Sequence, residues 1–369
     1  MEQLVHGGDW AGYRAQFGRD ALDFSANVSP LGLPEGVAKA ITAALPTADR
    51  YPDPLCRELR AKLALHEGVP ADHILCGNGA ADLIFRLVWA RKPRRALVTA
   101  PTFAEYAAAL ETIGCTVERF ILQAADDFAV PEAFLSAIDD RVDLVFLCQP
   151  NNPTGQLTPP DFVARILQRC TACGALLVLD ECFLDFLPDH AQLTAKPLLG
   201  SGDLLILKAF TKLYGMAGVR LGYALSADTA LLDAMQYTGQ PWAVSSLAQA
   251  AGLAALDETA YDRACVPAFI DVALFGIARE AATNIVRHAG ARRATLALST
   301  KREGFAELVV DDDGKGLAAP AAAAGHHGLL GMRERARLLQ GTFSASPSPL
   351  GGVRIAVSVP LSQKEETHE

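Results

Sequence analysis

No stretch of this 369-residue chain approaches the roughly 18 uninterrupted apolar residues of a membrane span, because charges and prolines break every apolar run. Its first residues, Met1-Glu2-Gln3, lack the basic region and apolar core of a secretory leader. There is no basic excess either: 33 Lys and Arg face 42 Asp and Glu, a formal net charge of -9, so neither nucleic acid nor an anionic membrane has an electrostatic footprint to meet. Small anions must then be held by helix N-termini and single arginines. Cys170 and Cys173 form one CxxC, but no second pair of ligands stands nearby to complete a zinc site. The other cysteines singled out, Cys76, Cys115, Cys148 and Cys182, sit in apolar context, as in reduced proteins. Together these absences predict a cytoplasmic protein without a nucleic-acid or membrane partner.

The length exceeds what one average core accommodates and predicts two domains. From about residue 71 to 225, four short apolar runs alternate with amphipathic stretches: Ala96-Leu97-Val98-Thr99, Leu144-Val145-Phe146-Leu147, Leu176-Leu177-Val178-Leu179 and Leu204-Leu205-Ile206-Leu207. Runs apolar on both faces predict a mostly parallel sheet covered by helices, with chemistry expected just after each run. After Tyr261 the pattern changes to a helix over 269–288, strands over 295–299 and 306–310, an alanine-rich linker over 318–324, a helix over 331–339 and a strand over 353–359. The residues after 361 are charged and are expected to be disordered.

Following the fourth run, Lys208-Ala209-Phe210-Thr211-Lys212-Leu213-Tyr214-Gly215-Met216-Ala217-Gly218-Val219-Arg220 resembles the lysine motif of fold type I pyridoxal-phosphate enzymes. The resemblance implies that Lys212 is the Schiff-base lysine, that Arg220 and Thr211 contact the cofactor, and that Ala209 stands where relatives often place a phosphate-binding hydroxyl. Upstream segments match the same family in order. Asp180, in Leu179-Asp180-Glu181-Cys182-Phe183, implies the carboxylate that keeps the pyridine nitrogen protonated. Asn152, in Asn151-Asn152-Pro153-Thr154-Gly155, implies a donor to the phenolic oxygen. Gly79, Ala80 and Ala81 enter a helix whose N-terminus can cradle a phosphate. Phe103 matches the ring-stacking aromatic, and Tyr51 a tyrosine that reaches the neighbouring subunit's phosphate, which implies a homodimer. Within the family, His6-Gly7-Gly8-Asp9 and Asp23-Phe24-Ser25-Ala26-Asn27-Val28-Ser29-Pro30-Leu31-Gly32 look like the threonine-phosphate decarboxylase branch of cobalamin synthesis. They imply His6 and Asn27 at a small phosphorylated amino acid. Phe183, where many transaminases carry tyrosine, points the same way. Histidinol-phosphate aminotransferase is the sister alternative.

The rest of the chain resembles a different family, the ATPase domain of sensor histidine kinases. Arg279-Glu280-Ala281-Ala282-Thr283-Asn284-Ile285-Val286-Arg287-His288 looks like the N box, in which Glu280 and Asn284 share one helix face, Asn284 ligates Mg²⁺ and Arg287 or His288 approaches the phosphates. Asp312-Asp313-Gly314-Lys315-Gly316 looks like the adenine-binding box, with Asp312, Gly314 and Gly316 in its roles. Gly328-Leu329-Leu330-Gly331-Met332 looks like the lid and helix start, in which Gly328 and Gly331 take part. Mg-ATP and a response regulator are the implied ligand and partner. His326-His327, without acidic neighbours, reads as solvent-facing.

The resulting expectation is an α/β fold type I pyridoxal-phosphate transferase large domain (mostly parallel sheet with helices on both faces) over 1–262. An α+β histidine-kinase-like ATPase domain follows over 263–361, with a tail over 362–369. The decarboxylase family's C-terminal small domain and its substrate-carboxylate arginine are expected to be missing, as are the kinase family's phospho-accepting histidine and sensor. This reads as a fusion joined near residues 261 to 267, one that binds its cofactor but turns over poorly unless an arginine such as Arg354 substitutes.

Overall fold

A computed structural model describes residues 8–20, 26–29, 31–187, 189–302, 304–316, 327–338 and 341–360. His6, the 318–324 linker, His326 and the 362–369 tail lie outside the described residues. The chain divides into two compact units, Leu31–Cys265 and Met1–Pro30 with Val266–Glu369.

In the unit Leu31–Cys265 seven strands form one sheet: β1 (Ile74–Gly77), β2 (Arg95–Ala100), β3 (Thr116–Ile121), β4 (Leu144–Cys148), β5 (Leu176–Asp180), β6 (Leu204–Ala209) and β7 (Gly222–Leu225). Their order is β1-β7-β6-β5-β4-β2-β3. The four apolar runs are β2, β4, β5 and β6, and all residues of β4 and β5 are buried, as strands covered on both faces require. One core layer joins them to Leu83, Leu87, Tyr106, Leu110 and Met235 on the overlying helices. At one edge β3, paired with β2 on its inner side only, presents Glu118 and Arg119, charged residues that guard an edge strand. Only β7 is antiparallel to its neighbours, pairing with both β1 and β6.

That single reversed strand positions the site. Gly222, the first residue of β7, lies opposite both Gly77 at the end of β1 and Ala209 at the end of β6. The β6–β7 connection, with Lys212 and Arg220, therefore emerges at the same sheet edge as Asn78 and Gly79. Close approach is possible because residue 222 has no side chain: a Cβ there would lie 2.7 Å from Ala80 N and 2.9 Å from Gly79 C.

The unit with Val266–Glu369 contains a four-stranded antiparallel sheet of order β10-β11-β9-β8, built from β8 (Ala294–Ser299), β9 (Phe305–Asp312), β10 (Thr342–Pro347) and β11 (Val353–Pro360). The helix Thr259–Asn284 starts ten residues before the expected 269, running through the supposed join, and widens at Ile285–Ala289 into a π turn. Leu274, Ile277, Ala278 and Ala281, at helical spacing, and Met332 and Ala336 on the helix His327–Leu338 cover alternate strand residues Ala306, Leu308, Val310, Ile355, Val357 and Val359.

Beneath the larger sheet lies a buried charge network. Lys208 Nζ donates to Asp185 Oδ1 at 2.6 Å, Lys196 Nζ donates to Glu67 Oε2 at 2.8 Å, and the Tyr223 hydroxyl donates to Glu67. Burial alone would raise the Glu67 pKa, but Lys208 and Lys196 outweigh it and hold it at about 2. A carboxyl depressed on folding stabilises the protein above its unfolded value of about 4.5 and loses that contribution as pH falls towards about 2. Glu181, raised by burial, works in the opposite sense. Urea unfolding is expected to show stability falling between about pH 5 and about pH 3, with a flatter dependence in Glu67→Gln. Lys208→Met, which leaves Asp185 without its lysine and Glu67 with Lys196 as its remaining lysine partner, is expected to cost roughly 3–5 kcal/mol; an unchanged unfolding midpoint would contradict this account.

Candidate functional site

β1, β2, β4, β5 and β6 each deliver a group at the C-terminal edge. β5 ends in Asp180, which is only 5% exposed. Its Oδ2 accepts from the Tyr106 hydroxyl at 2.6 Å, and its Oδ1 from the backbone N–H of Cys182 at 3.0 Å. After β4, Asn151 braces a turn: its Nδ2 donates to Pro101 O at 3.0 Å and Thr154 Oγ1 at 2.9 Å, while Thr102 Oγ1 donates to its Oδ1 at 2.9 Å. The next residue, Asn152, is left half-buried. Gln149 staples the base of that loop to Thr158 through both side-chain polar atoms. After β2, Phe103 precedes the helix Ala104–Glu111 and meets Tyr106 edge-on at 5.5 Å.

Lys212 lies in the one-turn helix Phe210–Leu213 at the end of β6, with its ammonium 5.1 Å from the Phe183 ring centroid. Burial holds its pKa below the ordinary lysine value, and the Arg220 charge acts in the same direction against the opposing pull of Cys182 and Asp180. A larger fraction of neutral amine, hence a better nucleophile, follows at neutral pH. Arg220 occupies the left-handed region at φ 63, an uncommon conformation for a side chain of this size. Its guanidinium lies against Gly79, where a Cβ would come 2.6 Å from Arg220 Nη2. Gly79 itself has φ +85 and precedes the helix Ala80–Arg91, so the first free N–H groups of that helix, Ala80 and Ala81 among them, stand beside an arginine. This pairing suits a phosphate. Thr211 is buried next to Lys212, and Ala209 offers no hydroxyl.

Tyr51 does not join these groups within its own chain: it is 80% exposed and stacks on Trp242 at 4.5 Å. Asn27 is half-buried in the stretch 26–29, and His6 lies outside the described residues. Tyr106 is the site residue that the sequence reading missed; the available signal was a tyrosine on a buried helix face, whose hydroxyl needs a partner.

In the other unit a cavity of about 790 Å³ opens beside the π turn, lined among others by Glu280, Asn284, Asp312, Lys315, Gly316 and Gly328. Arg287 and His288 also line it and are exposed. Asp312 Oδ1 accepts from Gly314 N at 2.7 Å, which fixes the carboxylate on its own turn. Gly314 packs beneath Ala289 O, 2.5 Å from where its Cβ would be, and does not itself line the cavity. Gly331 does not line it either, and nothing near it requires glycine. Among the described residues no group of three His, Cys, Asp or Glu could hold a metal ion.

Arg354 is not available as a replacement for a substrate-binding arginine. Its Nε and Nη2 donate to Asp311 at 2.9 and 2.7 Å, with Ser348 Oγ on the same carboxylate at 2.9 Å. Strand alternation sends Asp311 to this ion pair and its neighbour Asp312 to the cavity.

The contact at residue 222 yields a direct test of the strand-end geometry. Gly222→Ala is expected to destabilise the chain by roughly 1–3 kcal/mol, since the colliding atoms are backbone. Gly218→Ala, with nothing within 4 Å, serves as the control in chemical denaturation, and equal effects would contradict the close approach.

Residues 19–269 match the family described as aminotransferase class I and II. Residues 270–363 match the histidine kinase-, DNA gyrase B- and HSP90-like ATPases. The threonine-phosphate decarboxylase of Salmonella typhimurium is 41% identical over 243 residues, 66% of either chain. Histidinol-phosphate aminotransferase 1 of Cupriavidus pinatubonensis is 37% identical over 253 residues, 67% of this chain and 66% of that one. The chain thus spans about two thirds of the length of the curated relatives it matches. Among solved structures, histidinol-phosphate aminotransferase from Sinorhizobium meliloti in complex with pyridoxal-5'-phosphate superposes with a TM-score of 0.67 at 24% identity, covering 83% of this chain and 80% of that one. That likeness shows the fold.

Proposed function

Since this chain belongs to the aminotransferase class I and II family, we propose that residues 1–262 bind pyridoxal 5'-phosphate on Lys212 and act on a small phosphorylated amino acid. Threonine phosphate decarboxylation is the favoured reaction and histidinol-phosphate-type transamination the alternative. The observation that carries this reading is the convergence, at one sheet edge, of a half-buried lysine of lowered pKa, a buried carboxylate, and an arginine against a helix N-terminus. These residues fit the group: the absence of a Cβ at Gly79 lets the Arg220 guanidinium close on the helix N-terminus, a pairing suited to a phosphate, and Asp180 is buried and keyed in place by two donors.

When bound, pyridoxal phosphate supplies an electron sink for negative charge at the substrate's Cα. In this reading Arg220 and the N–H groups of Gly79, Ala80 and Ala81 hold the phosphate, Phe103 stacks on the ring and Asn152 donates to the phenolic oxygen. Asp180 retains a proton on the ring nitrogen. Thr211 would contact the phosphate, and Lys212 Nζ would hold the cofactor and move a proton to or from the substrate's Cα. Tyr51, exposed in its own chain, reaches the partner of a homodimer. His6 and Asn27 contact the substrate. Phe183 in place of a tyrosine, together with the decarboxylase likeness, supports the decarboxylase branch.

For residues 263–361 we infer an ATP-binding module, supported by the family match and by the cavity between Asn284 and Asp312. Glu280, Arg287 and His288 face the phosphate end, and Gly316 and Gly328 border the nucleotide. A response regulator would be its partner.

Reconstitution with pyridoxal phosphate is expected to produce the visible absorption band of a lysine-bound cofactor, and threonine phosphate should perturb it even where turnover is slow. The same band in Lys212→Ala would sink the lysine assignment. For the second module, calorimetry should show Mg-ATP binding that Asn284→Ala and Asp312→Ala each weaken at least about tenfold, a loss of one charge-assisted contact. Binding indifferent to both substitutions would refute the pocket reading.

A further inference from the structure

We propose that Tyr106 is a positioning residue of the cofactor site, whose hydroxyl fixes Asp180 in the orientation that meets the ring nitrogen and tempers the carboxylate's charge. This rests on the pyridoxal-phosphate reading and extends it to a residue outside the family motifs.

Tyr106 is fully buried, stacked on Phe146 with ring centroids 4.6 Å apart and planes within 7°. Phe103 closes on it edge-first at 5.5 Å. Rings held on two sides leave the side chain one rotamer, so its hydroxyl can be aimed without further ordering cost. The aim is Asp180 Oδ2, at 2.6 Å, a distance typical of a charge-assisted O–H···O⁻ bond. Cys182 N–H takes the other oxygen. The carboxylate plane is thereby set from two directions. Burial, with Asp180 adding to it, pushes the Tyr106 pKa far up, so the hydroxyl remains a donor throughout the working pH range.

The same helix that begins after Phe103, the ring-stacking candidate, carries Tyr106 one turn on. One element thus sets both the plane of the cofactor ring and the group at its nitrogen. Nearby, the Cys148 thiol donates to Pro150 O at 3.3 Å and its sulfur accepts from the backbone N–H of Asn152 at 3.4 Å.

The experiment uses the reconstituted full chain. Tyr106→Phe removes the hydroxyl and keeps the ring. An untempered carboxylate favours the protonated form of the lysine-bound cofactor, so the pH midpoint of its visible absorption should rise, and cofactor affinity should fall roughly tenfold with the loss of ordering. Asp180→Asn should shift the same readouts, and the double substitution should add little, because Tyr106 acts through Asp180. Incorporation of 3-fluorotyrosine at 106, a stronger donor of nearly the same shape, should move the midpoint downward, which keeps the test decisive even where Tyr106→Phe folds poorly. Unchanged midpoint and affinity in Tyr106→Phe, or effects fully additive with Asp180→Asn, would overturn the assignment. A wild-type chain giving no band at all would overturn the cofactor reading, and this proposal with it.

Discussion

Gly222 sits where three strand ends must share one volume. Because β7 runs against its neighbours, its first residue faces the last residues of β1 and β6 together, and the absence of a Cβ lets the turn after β1 come within contact of the β6–β7 connection. Everything proposed for the larger unit depends on that approach. Lys212 and Arg220 come from one connection, Gly79 and the following helix from another, and no segment of the chain contains more than part of the set. The backbone at Arg220 is bent into the left-handed region to bring its guanidinium to Gly79, a local cost of about 1 kcal/mol or more that the surrounding packing must sustain.

Much of this architecture was readable in the chain because burial on both faces writes itself as an uninterrupted apolar run. β2, β4, β5 and β6 are such runs. β1 and β7 escape the same reasoning because each is four residues with a glycine at the end nearest the site, too short to show a period. β3 hides behind the charges that protect it as an edge, and β10, Thr342–Pro347, alternates Thr and Ser with Phe, Ala and a proline, too little apolar bulk to stand out. The site residues were named from motif order, and the structure brings Lys212, Arg220 and the Gly79 turn together and places Asp180 within electrostatic reach of Lys212. What no motif could supply is the second layer. Tyr106 and Asp180 are 74 residues apart, and only the stacking of adjacent parallel strands brings the helix over the strand end.

The smaller unit follows the same logic with different materials. Asp311 and Asp312 are sequence neighbours that a period of two sends to opposite faces, one into a bidentate ion pair and one to the cavity wall. From sequence alone both look like members of one acidic turn, and Arg354 looks like a free arginine. Cross-strand register, Arg354 opposite Asp311, is what separates structural charge from ligand-facing charge here.

The division between strand interiors and strand ends also bears on how such a chain can drift over generations. The apolar interior positions of β4, β5 and β6 ask only for volume, and exchanges among Leu, Ile and Val there cost less than about 1.5 kcal/mol each. The site residues at or just beyond the strand ends, such as Asp180 and Lys212, have no comparable neutral substitute, because each one's task is set by one atom in one place. Tolerance should therefore form a gradient along every strand, permissive at the centre and steep at the carboxyl edge. A lineage can rewrite most of its sheet in small interchangeable steps while a few terminal positions stay fixed.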